Sequence, residues 1–264
     1  MIFLRSLCWK SKPPADEVFP FSLPIFQTLT DLAFTAPVTF FVGENGSGKS
    51  TMLEAIAAGM GSIAIGSAAV QEDETLAHAR KLARHLRFVR NRNPRRGFFF
   101  RAEDMFGFTK RIKREQDDLN ALEADYARQL SGYGRDLAVG ATRGQRRALE
   151  QKYGQNPDGR SHGESFLEVF QARMVPEGLY LLDEPETPLS PIRQLALLSI
   201  LKKQVEQDCQ FIIATHSPML MAFPEATILS FDGDEIGPVA YDDVEHVQLM
   251  RSFLEYPDMF LSRL

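Results

Sequence analysis

The sequence is poor in cysteine, in long apolar runs and in charge of one sign. Its two cysteines, Cys8 and Cys209, lie far apart and form no metal-ligand spacing. We therefore expect both cysteines to be packing residues of a protein in a reducing compartment, and a disulfide framework is excluded. The longest uncharged run, from Ala55 to Gln71, is interrupted by glycine and serine and is too short to cross a membrane. Because the first residues also lack a signal-peptide pattern, we expect a cytoplasmic protein without a membrane span.

The overall charge is also modest, since the net charge is −5 in a chain of 264 residues. Such a balance exerts no general attraction for nucleic acid or for an anionic membrane, so binding of that kind would need a local patch. Hydrophobic residues make up 44% of the chain, which is ordinary for a globular protein. The length predicts a single domain over residues 1–264, with room for a smaller inserted lobe.

Several apolar runs predict strands of a mainly parallel sheet. Residues 37–42, 179–182 and 211–215 are apolar without alternation, as in strands that are buried on both faces. Residues 97–101 and 226–231 predict two further strands, and residues 1–10 an N-terminal one. A helix that begins at Pro191 separates two of the runs, so that a strand–helix–strand crossover is expected. We expect this helix to carry five residues inward: Ile192, Leu195, Leu198, Leu201 and Val205.

A charged stretch in the middle of the chain predicts a helical lobe, inserted at about residues 104–175. Apolar residues recur there at mostly helical intervals, and a long solvated helix without domain status is the alternative. Four glycines downstream predict turns between short helices: Gly132, Gly134, Gly140 and Gly144. Residues 242–264 predict a terminal helix. The fold class is thus α/β, with a mainly parallel P-loop sheet flanked by helices, an N-terminal antiparallel strand region and the inserted lobe.

One motif carries specific chemistry, because residues 43–50 fit the phosphate-binding pattern G-x-x-x-x-G-K-[ST]. Glycines let successive backbone N–H groups converge on phosphate oxygens, and the helix that follows adds its positive end. Lys49 would reach the β- and γ-phosphates, and the Ser50 hydroxyl would bind Mg²⁺. The predicted ATP-binding residues are Gly43, Glu44, Asn45, Gly46, Ser47, Gly48, Lys49, Ser50 and Thr51.

Polar residues follow two of the other predicted strands at their carboxyl ends. Asp183 and Glu184 end the run 179–182, and His216 follows the run 211–215. In a parallel sheet these ends meet at the crevice that contains the P-loop. Asp183 is therefore a candidate Mg²⁺ ligand, and Glu184 a candidate for activating a water molecule. His216 is a candidate for orienting that water or for donating to the γ-phosphate. The structural alternatives are that Asp183 and Glu184 only cap the following helix and that His216 only makes a hydrogen bond without a functional role.

In this order the motifs resemble those of the ABC ATPase superfamily over about residues 37–231. The P-loop is similar to its Walker A motif, Asp183-Glu184 to its Walker B motif, His216 to its switch histidine, and Leu189-Ser190 to its D-loop. Residues 161–165 lie where the family has its signature sequence. They match it loosely, since Ser161 and Gly163 align whereas His162 and Glu164 depart. Glu103 stands where the wider family has its Q-loop glutamine.

The segment Thr215-His216-Ser217-Pro218 and the non-standard signature together resemble the soluble SMC and RecF-like branch. More narrowly, the chain resembles small stand-alone bacterial AAA-family ATPases, in which a strand such as that of residues 97–106 precedes a short helical lobe. The resemblance implies that two copies pair head to tail with ATP and Mg²⁺ between them. Ser161, His162, Gly163 and Glu164 would then face the partner's nucleotide. Glu103 would add a metal contact, for which a surface salt bridge is the equal alternative. The sequence does not identify the client on which such a switch acts. Three processes are compatible with it: DNA repair, defence against foreign DNA and protein remodelling.

Three other functions fit part of the pattern. The ATPase subunit of a membrane transporter would need a partner near the Q-loop, and the missing glutamine argues against it. A P-loop kinase would need neither the signature segment nor His216. A nucleotide sensor without hydrolysis is disfavoured by Glu184.

The most uneven distribution of charge lies between Arg80 and Arg101, where nine basic residues occur without one acidic residue. Arginine suits phosphate contacts, so the stretch is a candidate for DNA binding that does not depend on the DNA sequence. A solvated face, or ion pairs with carboxylates, is the favoured alternative, because no stacking aromatics or recognition motif accompany the run. The basic residues are Arg80, Lys81, Arg84, Arg87, Arg90, Arg92, Arg95, Arg96 and Arg101.

Overall fold

A computed structural model describes residues 1–11, 18–65, 74–102, 104–153 and 162–262. The described chain divides into two compact units, one formed by Met1–Ala102 with Val175–Leu264 and the other by Glu103–Met174. The strands are β1 (Leu4–Trp9), β2 (Asp31–Ala33), β3 (Val38–Val42), β4 (Ile63–Ile65), β5 (Leu86–Arg90), β6 (Arg96–Arg101), β7 (Gly178–Asp183), β8 (Gln210–Ala214), β9 (Thr227–Ser230) and β10 (Gly237–Pro238).

The helices alternate with these strands in the first unit and make up the second. They are α1 (Pro24–Thr28), α2 (Lys49–Met60), α3 (Ala77–His85), α4 (Asp104–Gln129), α5 (Gly132–Tyr153), α6 (His162–Arg173), α7 (Pro191–Val205), α8 (Pro218–Met221), α9 (Glu245–Glu255) and α10 (Pro257–Leu261). Short 3-10 turns cover Glu74–Leu76 and Tyr241–Asp243. No helix in the described ranges is both long and apolar enough to cross a membrane.

The first unit is built on a seven-stranded sheet with the order β10-β9-β3-β8-β7-β6-β4. Every pairing in it is parallel except that of β10 with β9. All residues of β3, β7 and β8 are buried, as expected for strands that are covered on both faces. The predicted α/β fold with a mainly parallel sheet is therefore confirmed. The carboxyl ends of β3, β7 and β8 lie at one edge of this sheet.

A second, three-stranded antiparallel sheet has the order β2-β1-β5. It contains the N-terminal strand that the sequence predicts, and also β5, which the sequence analysis did not predict. Helix α3 ends at His85, and the chain continues directly into β5. Leu86 and Leu7 pack into the main core from this sheet. The antiparallel sheet thus joins the hydrophobic core of the first unit.

Helix α7 does not bury the residues that the sequence analysis expects. Ile192 is 79% exposed and Leu195 is 55% exposed, and the buried residues are instead Leu197, Ile200 and Leu201. A stripe of every third residue rotates by about 60° per step around a helix with 3.6 residues per turn. The predicted stripe therefore winds away from the sheet, and the prediction was wrong for its first two members.

The second unit consists of α4, α5 and α6. The prediction of turns at four glycines is wrong for three of them, because Gly134, Gly140 and Gly144 lie within the continuous helix α5. A glycine costs a helix only about 1 kcal/mol relative to alanine, which packing and good helix formers can offset. Only Gly132, with a φ of 62°, lies at the break between α4 and α5. Glu123 of α4 binds Arg143 of α5 at 2.8 Å, which lowers the pKa of Glu123.

Candidate nucleotide site

The P-loop connects β3 to α2 at the carboxyl edge of the large sheet. Gly43, Gly46 and Gly48 have φ angles of 139°, 84° and 103°, a region that other residues rarely adopt. A Cβ atom on Gly43 would lie 2.7 Å from the Asp232 carboxylate. The glycines of the motif are therefore required by backbone conformation and, at position 43, also by space. This loop is of the kind that presents backbone N–H groups to an anion.

Lys49 is the first residue of α2, and only 5% of it is exposed. Its ammonium group donates hydrogen bonds to the carbonyl oxygens of Gly43 at 2.8 Å and Glu44 at 2.7 Å. Burial lowers the pKa of Lys49, and the carboxylates around it, of which Asp232 acts most strongly, oppose that effect. The amine is thus held at the mouth of the loop by acceptors that bind it less strongly than a phosphate would.

Ser50 and Asp183 meet across the crevice. The Ser50 hydroxyl donates to Oδ1 of Asp183 at 3.0 Å. Asp183 is the last residue of β7 and is 9% exposed. The two predicted metal ligands, which are 133 residues apart in sequence, are therefore neighbours. In the described part of the chain, no group of three or more histidine, cysteine or acidic residues could hold a metal ion.

This pair suits Mg²⁺, which usually takes one or two protein ligands and completes its shell with water and substrate phosphates. Hydroxyl and carboxylate oxygens are the hard donors that this cation prefers. The residues present therefore fit a magnesium ion that binds together with a nucleotide.

Glu184 leaves the strand in a different direction from Asp183. Its φ is 48°, in the left-handed region, and its N–H donates to the carbonyl oxygen of Ala214 at 2.9 Å. Its side chain is 45% exposed and lies 3.5 Å from the Thr187 hydroxyl. A non-glycine residue in this conformation costs of order 1 kcal/mol or more, so neighbouring structure must hold it there. The geometry leaves the Glu184 carboxylate available to water.

His216 follows β8 and faces Glu184, with 4.0 Å between Nε2 of the imidazole and Oε1 of the carboxylate. Its Nε2 atom is buried and has no hydrogen bond partner among the described residues. Burial, then the charge of Lys49, lower the pKa of His216, so the imidazole is neutral at physiological pH. The backbone N–H of His216 donates to Oε1 of Glu186 at 2.7 Å. His216 thus has an unengaged nitrogen at the crevice.

Three residues that the sequence analysis missed also lie at this edge. Glu186 anchors the backbone at His216, and its own burial raises its pKa. Asp232 follows β9 and accepts a hydrogen bond from the Glu44 N–H at 2.7 Å. His246 of α9 contacts His216. Asp232 could have been found, because it directly follows the predicted strand of residues 226–231, whereas nothing in the local sequence indicates His246.

An open cavity of about 500 Å³ adjoins the P-loop on one side. Its lining includes the apolar residues Leu23, Pro24 and Ile25, together with Gly46 and Ser47 of the loop. The Ser47 hydroxyl is buried and lacks a partner in the described chain. The cavity therefore combines an apolar wall with polar groups of the phosphate-binding loop.

The remaining predicted site residues are Glu103, Ser161, His162, Gly163 and Glu164. Glu103 and Ser161 lie outside the described residues, and His162, Gly163 and Glu164 form the start of α6 in the second unit. The signature segment and the metal contact of Glu103 therefore stay predictions.

The basic stretch does not form one continuous track. Arg80, Lys81 and Arg84 lie on α3, and Arg87 and Arg90 on β5. Arg92 pairs with Glu177 at 3.3 Å. Arg101, at the carboxyl end of β6, is buried against Glu54 at 3.5 Å. Arg95 and Arg96 are exposed at the opposite, amino end of β6. Arg101 is thus a structural ion-pair partner, and the others are divided among several surfaces.

Comparison with known protein families gives two matches. Residues 23–116 match a family described as "AAA domain", and residues 166–222 match one described as "AAA domain, putative AbiEii toxin, Type IV TA system". The first range contains the P-loop, and the second contains Asp183, Glu184 and His216. The chain carries a P-loop ATPase domain. The resemblance inferred from the motifs is confirmed at this level, and the fold supports ATP binding and hydrolysis.

Solved structures with a similar arrangement include SMC heads and an ABC protein. The Smc head domain from Pyrococcus furiosus, bound to the C-terminal domain of ScpA, has 12% identity and a TM-score of 0.46, covering 97% of this chain and 100% of the other. The SMC head domain from Thermotoga maritima has 17% identity and a TM-score of 0.40, covering 90% and 100%.

The ATP-binding cassette MJ0796, dimeric and bound to ADP and Pi, has 16% identity and a TM-score of 0.43, covering 91% and 99%. At these values the similarities carry no conclusion about how this chain acts. A search of curated proteins gave no match.

Proposed function

We propose that this protein is an ABC-class switch that binds ATP with Mg²⁺, hydrolyses it and is driven by it into a head-to-tail homodimer. The observation that carries the proposal is the convergence of Lys49, Ser50, Asp183, Glu184 and His216 at one edge of the sheet, beside a loop whose glycines have positive φ angles. These residues come from three separate strand ends, and a purely structural turn would not require them together.

Each of these residues has a distinct task in nucleotide binding. Lys49 would exchange its two carbonyl acceptors for phosphate oxygens, which are stronger partners because they are charged. Ser50 and Asp183 would hold Mg²⁺, which neutralises phosphate charge when bound. Leu23, Pro24 and Ile25 offer an apolar wall to the base. The residues present thus account for the triphosphate, the metal and the nucleoside.

Glu184 and His216 would serve the hydrolytic step. The exposed Glu184 carboxylate can accept a proton from a water molecule, and the neutral His216 can donate from Nε2 to an anionic oxygen. Their 4.0 Å separation leaves both groups near the same place. A kinase would need an acceptor site instead of a water-activating carboxylate, so this pair favours hydrolysis.

The head-to-tail dimer rests on the resemblance to ABC ATPases and on one further feature. Each P-loop would face Ser161 and Gly163 of the partner. Ile192 and Leu195, which are exposed at the start of α7, directly follow the D-loop-like residues Leu189 and Ser190. An exposed apolar pair at that point suits a surface that becomes covered when two copies meet.

The hydrolysis proposal is tested with Glu184→Gln, which keeps the size of the side chain and removes its basicity. The variant should bind ATP with wild-type affinity, measured by calorimetry, and lose hydrolysis by a factor of order 10² or more. The exposed Glu206, which follows the carboxyl end of α7, provides the control Glu206→Gln, which should retain activity. Wild-type turnover in Glu184→Gln would contradict the role of this residue.

The dimer proposal is tested by complementation. A Ser161→Arg variant and a Lys49→Ala variant should each be inactive alone, because one lacks the signature segment and the other the phosphate-binding amine. Mixing them should restore part of the activity, since a heterodimer contains one intact composite site. Glu184→Gln with ATP should also elute as a dimer during size exclusion. Monomeric behaviour at saturating ATP, with no activity in the mixture, would refute the dimer and leave ATP binding standing.

A further inference from the structure

His216 has a second histidine behind it. The Nε2 atom of His246 lies 3.4 Å from Nδ1 of His216, and the two rings meet edge to face with centroids 5.1 Å apart. Both residues belong to the first unit, although 30 residues separate them. His246 is half-buried at the start of α9. The contact therefore joins the loop after β8 to the helix near the carboxyl terminus.

The start of α9 is fixed in place by its neighbours. Val244 and Val247 are 4% and 3% exposed, so they anchor the residues on either side of His246. The Tyr241 hydroxyl donates to the carbonyl oxygen of Pro218 at 3.2 Å, which ties the preceding turn to α8. With these attachments the imidazole of His246 has a defined position against His216.

The two nitrogens of His216 have different surroundings. Nδ1 faces His246, whereas Nε2 is buried at the crevice, 4.0 Å from the Glu184 carboxylate and without a hydrogen bond partner in the described chain. A neutral imidazole carries one proton, and the partner of one nitrogen determines whether the other is a donor or an acceptor. The contact at Nδ1 therefore determines whether Nε2 is a hydrogen-bond donor or an acceptor.

Two arrangements of the protons are conceivable for this pair. If His216 donated from Nδ1, its Nε2 would be an acceptor facing a carboxylate and, during turnover, an anionic phosphate, which is unfavourable. If His246 donates from its Nε2, then Nδ1 of His216 is the acceptor and the proton resides on Nε2. Glu184 stabilises this second arrangement, because its negative charge lies on the side of the N–H.

We propose that His246 is a positioning residue that donates to Nδ1 of His216 and so holds the N–H of His216 on Nε2, directed into the nucleotide crevice. The proposal rests on the proposed ATPase function, in which His216 is the donor. Loss of the imidazole partner would leave His216 free to change tautomer and to rotate. We expect about a tenfold loss of kcat, the lower end of what removal of an orienting hydrogen bond costs, with an unchanged KM for ATP.

Two variants separate the hydrogen bond from packing. His246→Phe keeps an aromatic ring against His216 and removes the N–H donor. His246→Gln keeps a donor and loses the ring. If the N–H matters, His246→Phe should lose activity and His246→Gln should regain most of it. If His246 only fills space, the order should be reversed. His85→Phe, which makes the same substitution outside the crevice on α3, is the matched control.

A direct readout that needs no ATP is the tautomer of His216, measured by nitrogen NMR of protein with labelled histidines and assigned with His216→Asn. The wild type and His85→Phe should show a protonated Nε2 and an unprotonated Nδ1 at His216. His246→Phe should shift the population toward the other tautomer, and His246→Gln should restore it. An unchanged tautomer in folded His246→Phe would overturn the proposal. Normal tautomer shifts in a protein without ATPase activity would instead sink the proposed function and leave the positioning role intact.

Discussion

The two edges of the large sheet are built on opposite principles. At the carboxyl edge, where β3, β7 and β8 end, charged groups are held close together and three buried polar atoms, Ser47 Oγ, Glu186 Oε2 and His216 Nε2, lack partners in the described chain. At the amino edge two buried polar side chains, those of Gln210 and Tyr180, have hydrogen-bond partners, whereas the Thr39 hydroxyl near the start of β3 has none in the described chain. The Gln210 side chain accepts from the N–H groups of Phe3 and Leu4 at 2.8 and 2.9 Å and donates to the Leu4 carbonyl at 2.9 Å.

Tyr180 shows the same principle at the amino edge. Its hydroxyl accepts from the Val175 N–H at 2.7 Å and donates to the Val175 carbonyl at 2.8 Å, and burial raises its pKa to about 12. A buried hydroxyl with both roles satisfied stabilises the fold and has no capacity left for a ligand. The comparison indicates that Gln210 and Tyr180 at the amino edge serve stability, whereas Ser47 and His216 at the carboxyl edge keep polar atoms available for a nucleotide.

The largest expected effect is the loss of nucleotide binding in Lys49→Ala at the carboxyl edge. Removal of the charged donor should weaken ATP binding at least about a hundredfold, since charge-assisted bonds to phosphate are among the strongest contacts that proteins make. Thermal stability should not fall, because a desolvated ammonium group is removed. Calorimetric titration and a melting curve check both parts, with the exposed Lys202→Ala as the control. A large loss of stability would show that the carboxyl edge also supports the fold.

The converse experiment is Gln210→Ala at the amino edge. It should reduce the free energy of unfolding by about 3 kcal/mol, because two buried N–H groups and one carbonyl lose their partner. ATP affinity of the folded protein should be unchanged. Urea denaturation and nucleotide titration measure the two quantities. Gln207→Ala, in the neighbouring turn, is the matched control and should change neither. Weaker ATP binding in folded Gln210→Ala would break the proposed division between the edges.

The fold was largely predictable because its strands are simple. Uninterrupted apolar runs mark β3, β7 and β8. The P-loop follows β3, Asp183 ends β7 and His216 comes shortly after β8, so the sequence indicates the nucleotide crevice at these strand ends. The sequence also predicted Lys49, Ser50, Asp183, Glu184 and His216, since parallel strands bring their carboxyl ends together whatever their separation along the chain. What could not be predicted depends on side-chain direction. The exposure of Ile192 follows from the rotation of α7, and the contact of His246 with His216 requires the position of a distant helix.

The amino edge also carries three arginines of the basic stretch on which the DNA-binding hypothesis can be tested. Arg95 and Arg96 are exposed there, and Arg92 is paired with Glu177. If DNA binds, its affinity should fall steeply with salt and should not depend on sequence. Replacing Arg92, Arg95 and Arg96 with Ala should flatten the dependence of log K on log salt by roughly one unit for each lost phosphate contact. Absence of binding to duplex or single-stranded DNA at low salt would assign these arginines to protein contacts.

The smallest expected effect concerns Glu186. Like Gln210 at the amino edge, this half-buried side chain at the carboxyl edge accepts a hydrogen bond from the backbone. Its carboxylate accepts the His216 N–H, but burial raises its pKa, so ionisation of Glu186 works against the folded state. A carboxyl group with a raised folded pKa stabilises the fold below its unfolded pKa, and that contribution is lost as the pH rises through the folded pKa. Glu186→Gln keeps an acceptor oxygen and cannot ionise. Its free energy of unfolding should therefore equal that of the wild type in mild acid and exceed it increasingly toward neutral pH.

Urea denaturation over a series of pH values measures this difference, with Glu225→Gln, an exposed residue before β9, as the control. Nucleotide affinity should change little in Glu186→Gln, because Glu186 acts on the backbone of His216 and not on its imidazole. A difference that grew toward acid would mean that ionised Glu186 stabilises the fold. Glu186 would then be a structural carboxylate at the carboxyl edge, like the paired groups at the amino edge. The two edges would then differ less in how far their polar groups stabilise the fold than the unpartnered atoms of Ser47 and His216 suggest.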